Sequence, residues 1–237
     1  MPRTLRAVEG GGYYHVLNRG NGRRRIFHKP VDYDAFLRVL AEALDRFPGV
    51  KLLAFCLMPN HWHLIVHPKS DQDLPAFMRW LMVTHVRRHH EAHGTRGGGH
   101  LYQGRYKSFP IGVDEHFLIA CRYVEANAFR AGLVKRARDW RWSSFLSRVS
   151  NGAPEWPEKL KLTPWPLDCP ANWESLVQQK QREQEMVNLR VSIAKGRPFG
   201  GEGWMLRTAR RLGLMQSLRA PGRPRKHRSQ PERSKNQ

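Results

Sequence analysis

His61 and His63 stand two residues apart in the run Asn60-His61-Trp62-His63-Leu64-Ile65-Val66. On a strand, successive side chains leave opposite faces, so both imidazoles project from one side while Trp62, Leu64 and Val66 fill the other. Two imidazoles on one face can share a metal ion, although a chain with twelve histidines also yields such pairs by chance. Further along, Tyr123 and Asn127 lie four apart, on one side of a helix. By pattern alone Tyr123 reads as a half-buried packing residue beside the stripe Phe117, Cys121, Val124 and Ala128. Asn127 reads as a helix cap or a solvated polar group. A third set, His85, His89 and His93, repeats every four residues among Arg87, Arg88 and His90. It reads as a solvated helix face near phosphates, with a second metal site as the rival.

The elements that must position these residues follow from periodicity. The run 13–18 is β-prone and leads into a Gly-, Asn- and Arg-rich loop over 19–25. From Asp32 the apolar series Phe36, Leu37, Leu40, Ala43, Leu44 and Phe47 follows helical spacing until Pro48-Gly49 stops it. Residues 50–58 are almost unbroken apolar, which predicts a strand central to a sheet, and Pro59-Asn60 turns it into the alternating run 61–67. Helices are predicted over 74–93 and 114–129, the second closed by Gly132, with a strand over 106–113 between them. The order β, α, β, β, α, β, α predicts an α+β fold of ferredoxin-like character, an antiparallel sheet with helices packed on it. After Ser150 the texture changes to a Pro- and Trp-bearing connector, a Gln-rich helix over 172–195 and a basic helix over 204–212. The expected division is 1–150 as the main domain, 151–218 as linker and C-terminal helices, and 219–237 as a disordered basic tail.

Composition narrows the partners. Forty-one Lys and Arg against twenty Asp and Glu give a formal charge of +21, which calls for a polyanion. The last nineteen residues hold seven Lys and Arg and one acid, so most of the excess belongs to the body. No stretch approaches the ~20 apolar residues of a spanning helix, and the start of the chain lacks the apolar core of a signal peptide. Membrane is therefore not expected as a partner, and the expected location is the cytoplasm. Cys56, Cys121 and Cys169 show no CxxC spacing, so ordinary reduced thiols are expected.

Four blocks together carry a resemblance. The stretch 57–66 resembles the His-hydrophobic-His signature of HUH enzymes, and 122–132, Arg-Tyr-Val-Glu-Ala-Asn-Ala-Phe-Arg-Ala-Gly, resembles the tyrosine-bearing helix of single-tyrosine HUH transposases. Residues 14–21 resemble that family's first strand and loop. Residues 102–108 with Trp140-Arg141-Trp142-Ser143-Ser144 resemble the REP-associated tyrosine transposase branch in particular. The blocks span roughly residues 8 to 148 in the family's order, far more specific than either short motif. One departure is Ala128-Phe129, where the branch commonly has Pro-Val.

The resemblance implies an HUH fold and cleavage and rejoining of single-stranded, hairpin-containing DNA of the REP type through a 5′-phosphotyrosine. It implies Tyr123 as nucleophile and His61, His63 and Asn127 as ligands of Mg²⁺ or Mn²⁺. A phenol is mostly protonated at pH 7, and the sequence identifies no base. Candidate DNA contacts are Arg19, Arg23, Arg24 and Arg25 in the first loop, and Arg105 and Lys107 before the third helix. In the tail, Pro221-Gly222-Arg223-Pro224-Arg225-Lys226 looks like the core of an AT-hook, whose Arg side chains enter a narrow minor groove, with non-specific phosphate binding by Arg223, Arg225 and Lys226 as the rival reading. The rival reading is a domesticated HUH protein that holds hairpin DNA or RNA without cutting it. A relaxase or replication initiator is a further rival, disfavoured by the short chain without a P-loop. The sequence leaves monomer and homodimer both open.

Overall fold

In the computed structural model, which describes residues 8–149 and 156–219, the first four strands are β1 (Tyr13–Arg19), β2 (Val50–Met58), β3 (His61–Pro68) and β4 (Lys107–Ile111). They form one sheet in the order β2-β3-β1-β4, with every neighbouring pair antiparallel. Helix α1 (Pro30–Arg46) joins β1 to β2, α2 (Asp73–Ala92) joins β3 to β4, and α3 (Glu115–Glu125) follows β4. Short helices α4 (Asn127–Arg130) and α5 (Leu146–Val149) come next, then α6 (Trp173–Gln178), α7 (Glu183–Lys195) and α8 (Glu202–Arg211). The α+β class and antiparallel sheet expected from the sequence are what the chain adopts. Among the described residues, no helix is long and apolar enough to cross a membrane.

Both faces of the sheet are buried. Tyr14, Val16, Trp62, Leu64 and Val66 face α1 and α2, while Leu17, Ile65, Phe109 and Ile111 face α3. The second face is completed from the C-terminal region by Trp173, Val177, Leu189 and Phe199. Phe199 also donates its N–H to Pro110 O at 2.9 Å, and its carbonyl accepts from Gly112 N at 2.8 Å.

Strand β2 corrects one expectation. Its unbroken apolar run predicts a central strand, yet it lies at the edge of the sheet. A long apolar edge is an aggregation hazard unless covered, and here the chain covers it. Leu57 N donates to Trp142 O at 2.9 Å, Ser144 N donates to Phe55 O at 2.9 Å, and Thr163 N donates to Leu52 O at 2.7 Å. From Leu52 to Met58 the run is apolar because helices cover both of its faces, and a bulge between Leu52 and Ala54 shifts its register on β3. The bulge reverses the alternation: Leu52 faces the same layer as Phe55 and Leu57, while Leu53 joins Ala54 and Cys56 opposite. It also frees the Leu53 carbonyl, which accepts from Trp165 Nε1 at 3.0 Å and from Arg148.

Two predicted helices are divided. The 114–129 helix breaks at Ala126, where α3 gives way to α4. The 172–195 helix breaks between Gln178 and Glu183, where buried Gln181 turns inward to donate to Ile119 O on α3. Tertiary packing overrides helical propensity at that point.

Candidate active site

The two-residue turn Pro59-Asn60 sends β3 back along β2, with His61 opposite Met58. His61 and His63 leave the face covered by α3, and their ring centroids are 5.0 Å apart. With a metal–nitrogen bond of about 2.1 Å, two imidazoles bound cis to one ion place their centroids roughly 5 Å apart. Ring orientation is set by neighbours. Asn60 Oδ1 sits 2.6 Å from His61 Nδ1, which makes Nδ1 the donor and leaves Nε2 as a lone pair. His63 Nδ1 meets His15 Nε2 at 2.7 Å, so Nε2 is the nitrogen of His63 left for a ligand.

Both histidines are held neutral, the state that metal ligation needs. Burial lowers His61 to about 4, helped by the positive fields of Arg19 and Arg130. Burial pushes His63 well below its ordinary value, reinforced by His15 and His61.

Helix α3 brings Tyr123 over this pair in the same chain. Its ring stands edge-on to His63 at 5.7 Å and to His15 at 6.1 Å between centroids. The α3 helix is fixed by an Asp114 cap whose carboxylate accepts from His116 N at 2.9 Å, and by Phe117, Ala120, Cys121 and Val124 buried on the sheet. Asn127, at the start of α4, is buried rather than solvated. Its Nδ2 has no hydrogen-bond partner, whereas Oδ1 accepts from Arg130 Nη2 at 3.0 Å and keeps a second lone pair. By donor chemistry, two neutral imidazole nitrogens and an amide oxygen with a spare lone pair are the kind of set that suits a divalent cation completing its shell with water and phosphate oxygens.

Arg130 was not among the residues singled out from the sequence. Its guanidinium lies 4.1 Å over the Tyr123 ring and its Nη1 donates to Tyr123 O at 3.2 Å. The signal was available: Arg130 is three residues beyond Asn127 and seven beyond Tyr123, on their helical face. His15 was also missed. A histidine inside the apolar run of β1 is a buried polar group, and the β1–β3 register, Leu17 opposite His63 and Arg19 opposite His61, places it on the site's face.

The basic residues of the first loop gather at the same end of the sheet. Arg19, Arg23, Arg24 and Arg25 are exposed, and the loop is tied to the hairpin by Gly20 N donating to Asn60 O at 2.8 Å and Asn60 Nδ2 donating to Arg23 O at 3.1 Å. A Cβ on Gly20 would run into the Arg24 carbonyl, so only glycine allows this closure. Exposed Arg105 and Lys107 stand alongside, because Gln103 N donates to Arg19 O at 2.9 Å and Asn18 Nδ2 donates to Gly104 O at 3.1 Å. Arg223, Arg225 and Lys226 lie outside the described residues.

The His85, His89 and His93 series is corrected. It is not a solvated face: His85 is buried against Tyr102 OH at 2.7 Å, His89 Nε2 meets Ile26 O at 3.1 Å, and His93 Nε2 meets Asp32 Oδ1 at 3.2 Å. The helix packs against α1 and the 101–102 segment, so these rings serve the core. Among the described residues, no three His, Cys, Asp or Glu side chains are placed to hold a metal.

Comparison with known proteins bears on the family and the fold. The family model "Transposase IS200 like" matches residues 10–127, a span that includes His61, His63, Tyr123 and Asn127. A REP-associated tyrosine transposase from Escherichia coli (strain K12) is 24% identical over 146 residues, 61% of this chain and 82% of its own. A solved REP-associated tyrosine transposase, bound to a REP hairpin, shares the fold with a TM-score of 0.51 at 19% identity, over 72% of this chain and 99% of that one. The sheet order and the family match agree: the chain belongs to the IS200-like transposase family.

Proposed function

We propose that this transposase cuts and rejoins single-stranded DNA carrying a small hairpin, with Tyr123 as nucleophile. The observation that carries the reading is that the Tyr123 ring stands edge-on to His63, on the His61–His63 face of its own chain, and lies under the same guanidinium that holds Asn127 Oδ1. The Tyr123 oxygen attacks the scissile phosphorus, the phenol gives up its proton, and a 5′-phosphotyrosine forms as the 3′ oxygen leaves and takes a proton. Attack by a different 3′-hydroxyl on that linkage rejoins strands and returns the phenol, so bond energy is conserved without a high-energy cofactor. His61, His63 and Asn127 would hold Mg²⁺ or Mn²⁺, which when bound neutralises charge at the scissile phosphate. Arg130 holds the Asn127 oxygen and the Tyr123 ring in register, and its cation offsets charge as the phenol is deprotonated.

Arg19, Arg23, Arg24, Arg25, Arg105 and Lys107 present a basic rim to the DNA backbone. Arg223, Arg225 and Lys226 would add contacts from the tail. The hairpin as partner is supported by the REP hairpin bound in the structurally similar transposase. His61→Ala or His63→Ala is expected to abolish metal-dependent cleavage of hairpin oligonucleotides while leaving hairpin binding intact. Cleavage retained in either variant would place the metal elsewhere.

A further inference from the structure

Between α4 and the segment joining α6 to α7 lies a cavity of about 430 Å³, within the size range of small-molecule sites. Its lining combines two characters. Phe129 and Met186 supply apolar surface, and Arg130, Lys180 and Arg190 supply positive charge. Glu183 is the one acid among the described lining residues, and it is drawn to Arg190 at 3.6 Å. Three cations around an apolar floor suit a ligand that is anionic and carries a flat apolar part.

Arg130 belongs to the cavity and to the candidate active site at once. Its Nη2 holds Asn127 Oδ1 at 3.0 Å, its Nη1 reaches Gln181 Oε1 at 3.5 Å, and its plane covers the Tyr123 ring. A ligand in the cavity is thus separated from the nucleophile by one side chain. We propose that the cavity seats one nucleotide of the single strand, beside the phosphate that Tyr123 attacks. The base lies against Phe129 and Met186, and its phosphates meet Arg130, Lys180 and Arg190.

This assignment rests on the strand-cleaving reading and extends it, because residues 178–190 lie beyond the family match over 10–127. It also predicts how the base is held. Gln178 spends its amide on Ala137 N at 2.9 Å and Lys135 O at 3.2 Å, and Gln181 Nε2 is spent on Ile119 O at 3.3 Å. Gln179, the third lining amide, turns its Nε2 to Ser175 Oγ at 2.9 Å, so the subsite grips chiefly by stacking and charge rather than by reading a base edge.

The test uses the full-length protein and two fluorescent probes, a dT 12-mer and a 12-mer of the same backbone with all bases removed. Phe129→Leu is expected to weaken binding of the dT 12-mer by about fivefold to tenfold, the low end of what one stacked base contributes, and to leave the abasic probe unchanged. Arg190→Ala, at an exposed rim position that the fold does not need, is expected to weaken both. In parallel, dT 12-mers carrying 5-iodo-2′-deoxyuridine are photocrosslinked, with adducts expected in 126–130 or 178–190. Equal loss for both probes in Phe129→Leu, or crosslinks confined to other segments, would overturn the assignment. If the wild type bound neither probe, or bound dT and both variants behaved as wild type, the cavity assignment would fall; the strand-cleaving reading falls separately, if hairpin oligonucleotides are not cleaved.

Discussion

The chemistry of the site depends on which ring nitrogens are left free, and that is decided by residues that would not themselves touch a metal. Asn60 and His15 each engage a Nδ1, of His61 and His63 respectively, the outer support that orients metal-binding imidazoles generally. His15→Leu, similar in volume but without a nitrogen, is expected to reduce Mn²⁺ affinity by tenfold or more in a titration of the purified protein. His15→Gln, which can still accept from His63 Nδ1, is expected to recover most of it; unchanged affinity in the leucine variant would mean that His15 only packs. Tyr123, Asn127, His61 and His63 could be picked out from the sequence because they occur in short blocks, 57–66 and 122–132, that resemble the family's motifs. His15 and Arg130 could not be ranked in that way. Their roles appear only once the β1–β3 register and the turn at Ala126 bring separate segments together.

Elements hold these side chains still, and the strongest clasp is Glu125 at the end of α3. Its buried carboxylate accepts from Ser144 Oγ at 2.6 Å, Arg148 Nε at 2.8 Å and Trp173 Nε1 at 2.8 Å, joining the tyrosine helix to the β2 edge cover and to α6. Glu125→Ala would strand the largely buried Arg148 cation and two donors, so a loss of about 3 kcal/mol is expected from urea unfolding. A loss below about 1 kcal/mol would show that solvent enters and replaces the clasp. The order of strands and helices was readable from apolar periodicity alone. The placement of β2 was not, because a run buried on both faces has the same pattern whether its edge is paired to a strand or covered by Trp142, Ser144 and Thr163. The break at 179–182 was equally hidden, since it is imposed by Gln181 packing on α3 rather than by any Gly or Pro.

Across the whole molecule, buried histidines couple stability to pH. Burial holds His15 and His85 to about 3 and His61 to about 4, against 6.5 for a free imidazole. The unfolded chain therefore binds protons that the folded chain refuses. Their stabilising contribution is fully present above pH 6.5 and is lost as pH falls from there toward 3, by up to about 1.4 kcal/mol per pH unit for each group. Melting temperature is expected to fall steadily between pH 6.5 and 4.5; a flat profile would mean that these rings are solvated. The charge of +21 makes a second whole-molecule prediction, that the affinity for DNA falls steeply and linearly on a log–log plot against salt. A slope near zero would remove phosphate contacts from the account. The most direct test of the central claim is covalent capture. Hairpin oligonucleotides from the DNA flanking the protein's own gene are incubated with Mn²⁺, Mg²⁺ or chelator, and a denaturant-resistant protein–DNA adduct is scored for wild type and Tyr123→Phe. The account predicts a metal-dependent adduct in the wild type that is lost with the phenol. Tight hairpin binding with no adduct and no cleavage, or an adduct that persists in Tyr123→Phe, would contradict it.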